Sequence, residues 1–414
     1  MATGASPNGD APAPDFRPWP FRGRPKPDEL LSSWFLRAAE AMEMKPYALG
    51  HIAWRSTPPP LTRDIDGIAD DRILAILSAS TLTPIEQCRA TTLASYEGVL
   101  FESHQPLGRT AWIMPLGVRA RTRLSPGLQY CPACMQQSPY YRRLWRVSWA
   151  TACVEHKLRL LDRCSHCASI LAPFRARGFA CFNCGAVLAD GQRLPASEMV
   201  LRFQMRQEAI LAQGWGELGP SHFPYSVQYF QTIRHVARSL SLGARATAFH
   251  AAAAETWGGD PSPHEGEKRD IDVLAANDRH RLFDLVSRLL EDWPERFVSA
   301  AEAAGLWQSW ALRDDERPPF AYASMVADRL ATPRYSPSRA EVQSAADYLR
   351  RRSSSFTKLA LKNLVGDSIH IQPIFEAERQ ASLLPAFREV PSVGTPNDAP
   401  EREATAGRIR PMHW

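Results

Sequence analysis

Cys131-Pro132-Ala133-Cys134, Cys153-Val154-Glu155-His156, Cys164-Ser165-His166-Cys167 and Cys181-Phe182-Asn183-Cys184 hold seven of the eight cysteines in a chain of 414 residues. Each pair is separated by two residues, a spacing that closes a tight knuckle and turns both donors toward one ion. Eight such donors suffice for two tetrahedral sites, and thiolates with imidazole are the ligand set that zinc prefers. The sequence therefore predicts two bound zinc ions as the cofactors, with Cys131, Cys134, Cys153, His156, Cys164, Cys167, Cys181 and Cys184 as ligands. Sequential pairing closes the shorter loops and costs less chain entropy; an interleaved cross-brace is the alternative that spacing leaves open. Disulfides are the competing use of paired cysteines, but no secretory signal is read in the sequence, and regular CxxC pairs in a reducing compartment favour metal. His166 breaks the two-residue spacing and reads as a solvent-facing loop residue, while Cys88, on an expected helix, reads as a small core residue.

The region around the knuckles is also basic. The whole chain has a formal charge of +5, yet residues 109–177 contain eleven Arg and one Lys against Glu155 and Asp162. With two Zn²⁺ and seven thiolates counted, about +7 remains by the same ligand chemistry. Arginines with interleaved Tyr140, Tyr141, Trp145 and Trp149 suit a phosphate backbone, and the competing reading is that these rings pack the small metal cores. Arg119, Arg121 and Arg123, at alternate positions, would share one side of an extended segment and reach toward phosphates; Arg142, Arg143 and Arg146 are the other candidates here.

Outward from the knuckles the chain reads as helical. Residues 1–27, with seven prolines among Gly, Ala and Ser, read as a disordered arm, on which Trp19 and Phe21 could dock to the body or to a partner. Asp28 is positioned to cap a helix whose face is Leu31, Trp34, Phe35 and Ala38. Short helices follow over Tyr47–Trp54, Asp71–Ser78 and Pro84–Ala90, an alternation compatible with a helix-turn-helix unit. Past Cys184, apolar periodicity predicts helices over Ser197–Gln213, Ser226–Leu242, Asp272–Glu291, Glu341–Arg352 and Phe356–Val365. Gly258–Pro263 reads as a loop, and residues 385–414 as a disordered tail. The helix after Ser353-Ser354-Ser355 carries Lys358 and Lys362 and is a candidate recognition helix, against the alternative of an ordinary surface helix.

Pro27-Asp28-Glu29-Leu30-Leu31-Ser32-Ser33-Trp34 resembles the opening signature of the TniQ family, target-selection proteins of bacterial transposons. The likeness continues through Tyr130-Cys131-Pro132-Ala133-Cys134, Tyr141-Arg142-Arg143-Leu144-Trp145, Trp149, Cys153, His156 and Leu160-Leu161-Asp162-Arg163-Cys164. It covers Asp28 to Cys184 and weakens beyond, where Leu289–Phe297 is similar to a segment of the family's helical halves. Two knuckles lack a proline common in the family, at positions that are not ligands. The resemblance implies an N-terminal helix-turn-helix-like domain, tandem zinc modules and a helical C-terminal part. It also implies an adaptor that recognises target DNA, or an RNA-guided complex, and recruits an AAA+ ATPase that licenses a DDE transposase.

Catalysis is not expected. No GxxxxGK[ST], GxSxG or HExxH motif is present. Asp64, Asp66, Asp70 and Asp71 read as caps and solvated charge, and two full metal tetrads leave no open position for a zinc hydrolase or an RNA-processing zinc enzyme. No apolar run approaches the roughly 18 residues of a membrane span, so a soluble, cytoplasmic and nucleoid-associated protein is expected. The expected fold class is mainly α with small zinc-stabilised modules. Its expected divisions are 28–124 (helix-turn-helix-like), 125–192 (two zinc modules) and 193–384 (helical). The expected function is a non-catalytic target-selection adaptor, for which a homodimer would suit two-fold target sites; the alternative is a stand-alone zinc-containing transcriptional regulator.

Overall fold

The computed structural model describes residues 18–55, 60–119, 122–175, 178–243, 245–261, 270–312, 318–330, 337–352, 356–366 and 368–383. The fold is mainly helical. Helices α1 (Leu31–Ala41), α2 (Pro46–Trp54), α3 (Ile65–Ile68), α4 (Asp71–Thr81) and α5 (Ile85–Arg89) precede a small hairpin, β1 (Val118–Arg119) with β2 (Thr122–Arg123). The knuckle region adds α6 (Pro132–Gln137) and a second hairpin, β3 (Ala152–Cys153) with β4 (Leu158–Arg159). Then come α7 (Glu198–Gln213), a hairpin of β5 (Gly216–Leu218) and β6 (Ser221–Phe223), α8 (Ser226–Ser241), α9 (Ala246–Trp257), α10 (Ala276–Leu290), α11 (Glu295–Ala303), α12 (Gln308–Ala311) and α13 (Phe320–Arg329). These belong to one compact body, Met1–Thr332; a second, Pro333–Trp414, contains α14 (Arg339–Arg351), α15 (Lys358–Val365) and α16 (Ile371–Leu383). The boundaries expected near 124 and 192 fall within the first body, where one apolar core runs from Trp19 to Leu330.

Asp28 does not cap α1. Its backbone is left-handed (φ 54°), and its carboxylate instead accepts from Arg143 Nε at 3.2 Å and Leu144 N at 3.1 Å. The helix begins three residues later, with Leu30 as its N-cap and no capping side chain of its own. The orphan amides of a helix start still need acceptors, and one comes from far along the chain: Asp66 accepts from Ser32 N at 2.7 Å and Ser32 Oγ at 2.8 Å. Leu31, Trp34, Phe35 and Ala38 are all buried, as the spacing predicts. The segment just before α1 is held rather than free. Trp19 is 8% exposed, packs edge-on to Phe35 at 6.0 Å, and donates its amide to Ser80 O at 2.7 Å. Trp34 Nε1 donates to Gly23 O at 2.7 Å. Trp19 and Phe21 of the expected arm therefore pack on the core, while 1–17 and the tail from 384 lie outside the described residues.

Helices α7 and α8 match their expected spans to within a residue, and Gly214 (φ 80°) ends α7 in the left-handed conformation expected of a C-terminal glycine. Helix α10 starts later than expected, after a single 3-10 turn at Ile271–Val273. Gln204 ties α7 to the knuckle region: its amide oxygen accepts from Thr151 N and Ala152 N, and its nitrogen donates to Ala152 O at 2.6 Å. In the second body, Val342, Ala346, Leu349, Leu361, Ile371 and Ile374 form a separate apolar cluster where three helices meet. Its α14 opens with a reciprocal capping box between Ser338 and Glu341.

Candidate metal centres and the arginine network

Three of the four knuckles turn on a left-handed residue directly after their second ligand: Lys157 (φ 56°), Ala168 (φ 56°) and Gly185 (φ 76°). That turn returns the chain so that the two donors face inward. The first knuckle is built differently, because Pro132 starts α6 and puts Cys131 at its N-cap and Cys134 in its first turn. Proline is favoured at that helical position, and the helix N-terminus suits negative thiolates.

Site A gathers Cys131, Cys134, Cys153 and His156; site B gathers Cys164, Cys167, Cys181 and Cys184. Within A, Cys134 Sγ lies 3.6 Å from Cys153 Sγ, and His156 Nδ1 lies 3.8, 3.3 and 3.5 Å from the sulfurs of Cys131, Cys134 and Cys153. Within B, Cys164 to Cys184 is 3.7 Å and Cys167 to Cys181 is 3.6 Å. Tetrahedral zinc with ordinary bond lengths separates two sulfurs by about 3.8 Å and a sulfur from a nitrogen by about 3.6 Å. A disulfide would need about 2.05 Å, and every cysteine is free. Both clusters thus fit a metal ion with four protein ligands, consistent with zinc, and the ligands are grouped sequentially rather than cross-braced.

The two sites differ in depth. Cys131, Cys134 and Cys153 are at most 5% exposed and belong to the main core, whereas Cys184 is exposed and Cys167 half-buried. Without metal, donors this close must share protons: a hydrogen bond with Cys134 holds the Cys131 thiol down at about 3, while the same contact pushes Cys134 up. A divalent ion would relieve that competition by taking the thiolates together. His166 is exposed, as expected. Cys88 is buried, and burial pushes its thiol up to about 11, which fits a core residue.

The arginines beside site A are largely occupied within the fold. Arg142 Nη2 bonds Glu155 Oε2 at 2.8 Å and points at Cys134 Sγ from 3.6 Å, with its guanidinium over the rings of Tyr140 and Trp145. Arg143 bonds Asp28, Ala90 O and Ser95 Oγ, and covers Tyr96 at 4.5 Å. Arg146 is completely buried. It bonds Asp64 Oδ2 at 2.6 Å, Asp66 Oδ2 at 3.1 Å and Met114 O at 2.9 Å. Burial, with Asp64 beside it, holds the Asp66 carboxyl above its ordinary range even against Arg146.

Arg142, Arg143 and Arg146, expected as phosphate contacts, thus each have an acidic partner inside the fold, and Arg146 is fully buried. They clamp the N-terminal segment onto site A. Leu30 N donates to Tyr141 O at 3.0 Å, Arg143 N to Asp28 O at 2.6 Å, and Tyr141 N to Ser33 Oγ at 2.9 Å. Tyr141, Trp145 and Trp149 are buried, and Tyr140 is nearly so, so these rings pack the core rather than stack on bases. Asp70 does cap α4, through Ile73 N at 2.9 Å, and Asp71 is exposed; Asp64 and Asp66 are not solvated charge but partners of Arg146. No local pattern could have shown this, since Asp66 and Arg146 are 80 residues apart.

Arg123 is partly buried and donates to Leu171 O at 3.2 Å. Because β1 and β2 pair, Arg119 and Arg123 lie on facing strands and not along one extended run, and Arg121 lies outside the described residues. Lys358 and Lys362 sit one turn apart and exposed on α15, capped by Thr357 through Ala360 N at 3.0 Å. Lys358 reaches Gln372. Lys157 and Arg163, each next to a metal ligand in the chain, are exposed, as are Arg109 and Arg175.

The family model for TniQ matches residues 20–160. Residues 20–160 are similar to a TniQ domain. The TniQ match opens at the packed Trp19–Phe21 segment, takes in all four ligands of site A, and stops before site B. Its two most telling sequence features, the Asp28–Trp34 signature and the Cys3His knuckles, are one physical assembly held by backbone pairing and buried ion pairs. The TniQ match supports a transposition-associated role, and the helical fold is consistent with DNA binding. A search of curated proteins found no match. No helix among the described residues is long and apolar enough to cross a membrane.

Proposed function

We propose that this chain is a non-catalytic target-selection adaptor of a bacterial transposon, working at the nucleoid in the cytoplasm. In this reading it binds target DNA directly or through an RNA-guided complex, and recruits an AAA+ ATPase that brings in a DDE transposase. The observation that carries the reading is the TniQ match itself, ending on a metal site built into the domain core. One zinc ion at each site would act structurally: four protein ligands leave no position for substrate, so the sites lend no support to an enzyme. The described residues also gather no second open metal cluster of carboxylates.

DNA contact is proposed at α15 through Lys358 and Lys362. Helices α14 and α15 with their flanks, residues 337–366, carry six Arg and Lys against Glu341 and Asp347 among the described residues, enough to favour phosphate. Exposed Arg109, Arg163 and Arg175 are further basic candidates in the first body. The test is selection of bound duplexes from a random library with zinc-loaded protein, beside capture of a transposition-type AAA+ ATPase. Enrichment of a motif together with ATPase capture is the expected result. DNA binding without any ATPase capture would favour the stand-alone regulator instead.

A further inference from the structure

Between the N-terminal segment, site A and α7 lies an open cavity of about 510 Å³. That volume is within the range of natural ligand pockets. Its wall is mostly apolar, from Tyr96, Val99, Leu144, Trp145, Val154 and Leu211. Five charged side chains also line it, and four of them are already paired: Arg142 with Glu155 and Arg143 with Asp28. The fifth, Glu208 of α7, receives one hydrogen bond from Gln204 Nε2 at 2.9 Å and has no cationic partner among the described residues. Cys153 of site A is on the same wall, and a Cys3His set holding one divalent ion carries a net charge of −1. The cavity thus pairs an apolar surface with uncompensated negative charge. Burial pushes the Glu208 carboxyl above its ordinary range, against the hydrogen bond from Gln204 and the charge of Arg142.

We propose that this cavity seats an arginine or lysine side chain of a partner protein, its charge on Glu208 and its aliphatic stem along the apolar wall. Charge complementarity selects the occupant. A long basic side chain is the common protein group that offers both a methylene stem and a cation. The assignment does not rest on DNA binding, so it stands or falls separately from the adaptor reading.

The test is panning of phage-displayed random dodecapeptides on the full, zinc-loaded chain, followed by affinity measurement on the selected peptides. Wild type is expected to enrich peptides with one Arg or Lys beside apolar residues. Glu208→Gln keeps the acceptor for Gln204 but removes the charge, and should weaken the best peptide about tenfold or more. Replacing the peptide's basic residue by norleucine should cost a similar factor on wild type and little on Glu208→Gln. Ala212→Trp, which puts a bulky ring on the exposed part of the cavity wall, should block binding while leaving zinc content and melting unchanged. Enriched peptides without a basic residue, or equal affinity for Glu208→Gln, would overturn the proposal. Deleting residues 384–414 should leave capture unchanged; a rise would show that the chain's own tail fills the cavity and would overturn the assignment to a partner.

Discussion

Replacing Arg146 by Ala separates a structural arginine from a nucleic-acid contact. Arg146 is fully buried, and among the described residues its guanidinium is the only cation bonded to Asp66, itself 1% exposed. The substitution leaves Asp66 buried and unpaired, beside an Asp64 that loses the same partner. Breaking a buried pair from one side costs about 3–5 kcal/mol, and for a large domain that corresponds to roughly 6–10 °C in Tm. The loss should depend on pH in a definite direction. Asp66 already has its folded-state pKa raised by burial, and removing Arg146 raises it further. A raised carboxyl contributes stability below its unfolded value, about 3.9, and that contribution is lost as pH rises through the folded value. The deficit of the variant relative to zinc-loaded wild type should therefore be larger at pH 8 than at pH 5.5. Asp66→Asn on the Arg146→Ala background removes the stranded charge while keeping the acceptor for Ser32, and should recover about 1 kcal/mol or more. Urea titrations followed by tryptophan fluorescence at the two pH values measure all three. Unchanged stability together with a shallower salt dependence of DNA binding would refute the reasoning and return Arg146 to the phosphate contacts.

Arg142→Ala should weaken metal binding at site A by about 10–100-fold, the usual cost of a lost outer-shell partner, because its guanidinium faces the Cys134 sulfur; chelator competition with metal release read optically checks it. Stripping with a chelator should empty site B before site A, since Cys184 is exposed while the site A thiolates are in the core, and Cys131→Ser should unfold more of the first body than Cys164→Ser; circular dichroism after each step would show the reverse order if burial is not the governing factor. Lys358→Ala with Lys362→Ala should weaken duplex binding equally across sequences and reduce the salt slope by about 2, whereas an unchanged slope in the double variant would make α15 an ordinary surface helix.

The ligand set, its grouping into pairs and most helices of the chain could be read from residue order, because they depend on neighbours. A two-residue knuckle, an apolar stripe at helical spacing, and a glycine after Gln213 act within a few residues of themselves. The family signature was legible for the same reason. What residue order could not supply was the state of each charge. Asp28 looks like a helix cap, and Arg142, Arg143 and Arg146 look like a basic surface, until folding carries Asp28, Glu155, Asp64 and Asp66 next to them. Trp19 looks like part of a loose arm until Phe35 and Ser80 are seen beside it. Desolvation and pairing are set by groups tens of residues away in the chain. Only the tertiary structure therefore decided which arginines are paired inside the fold, and that Glu208 has no cationic partner among the described residues.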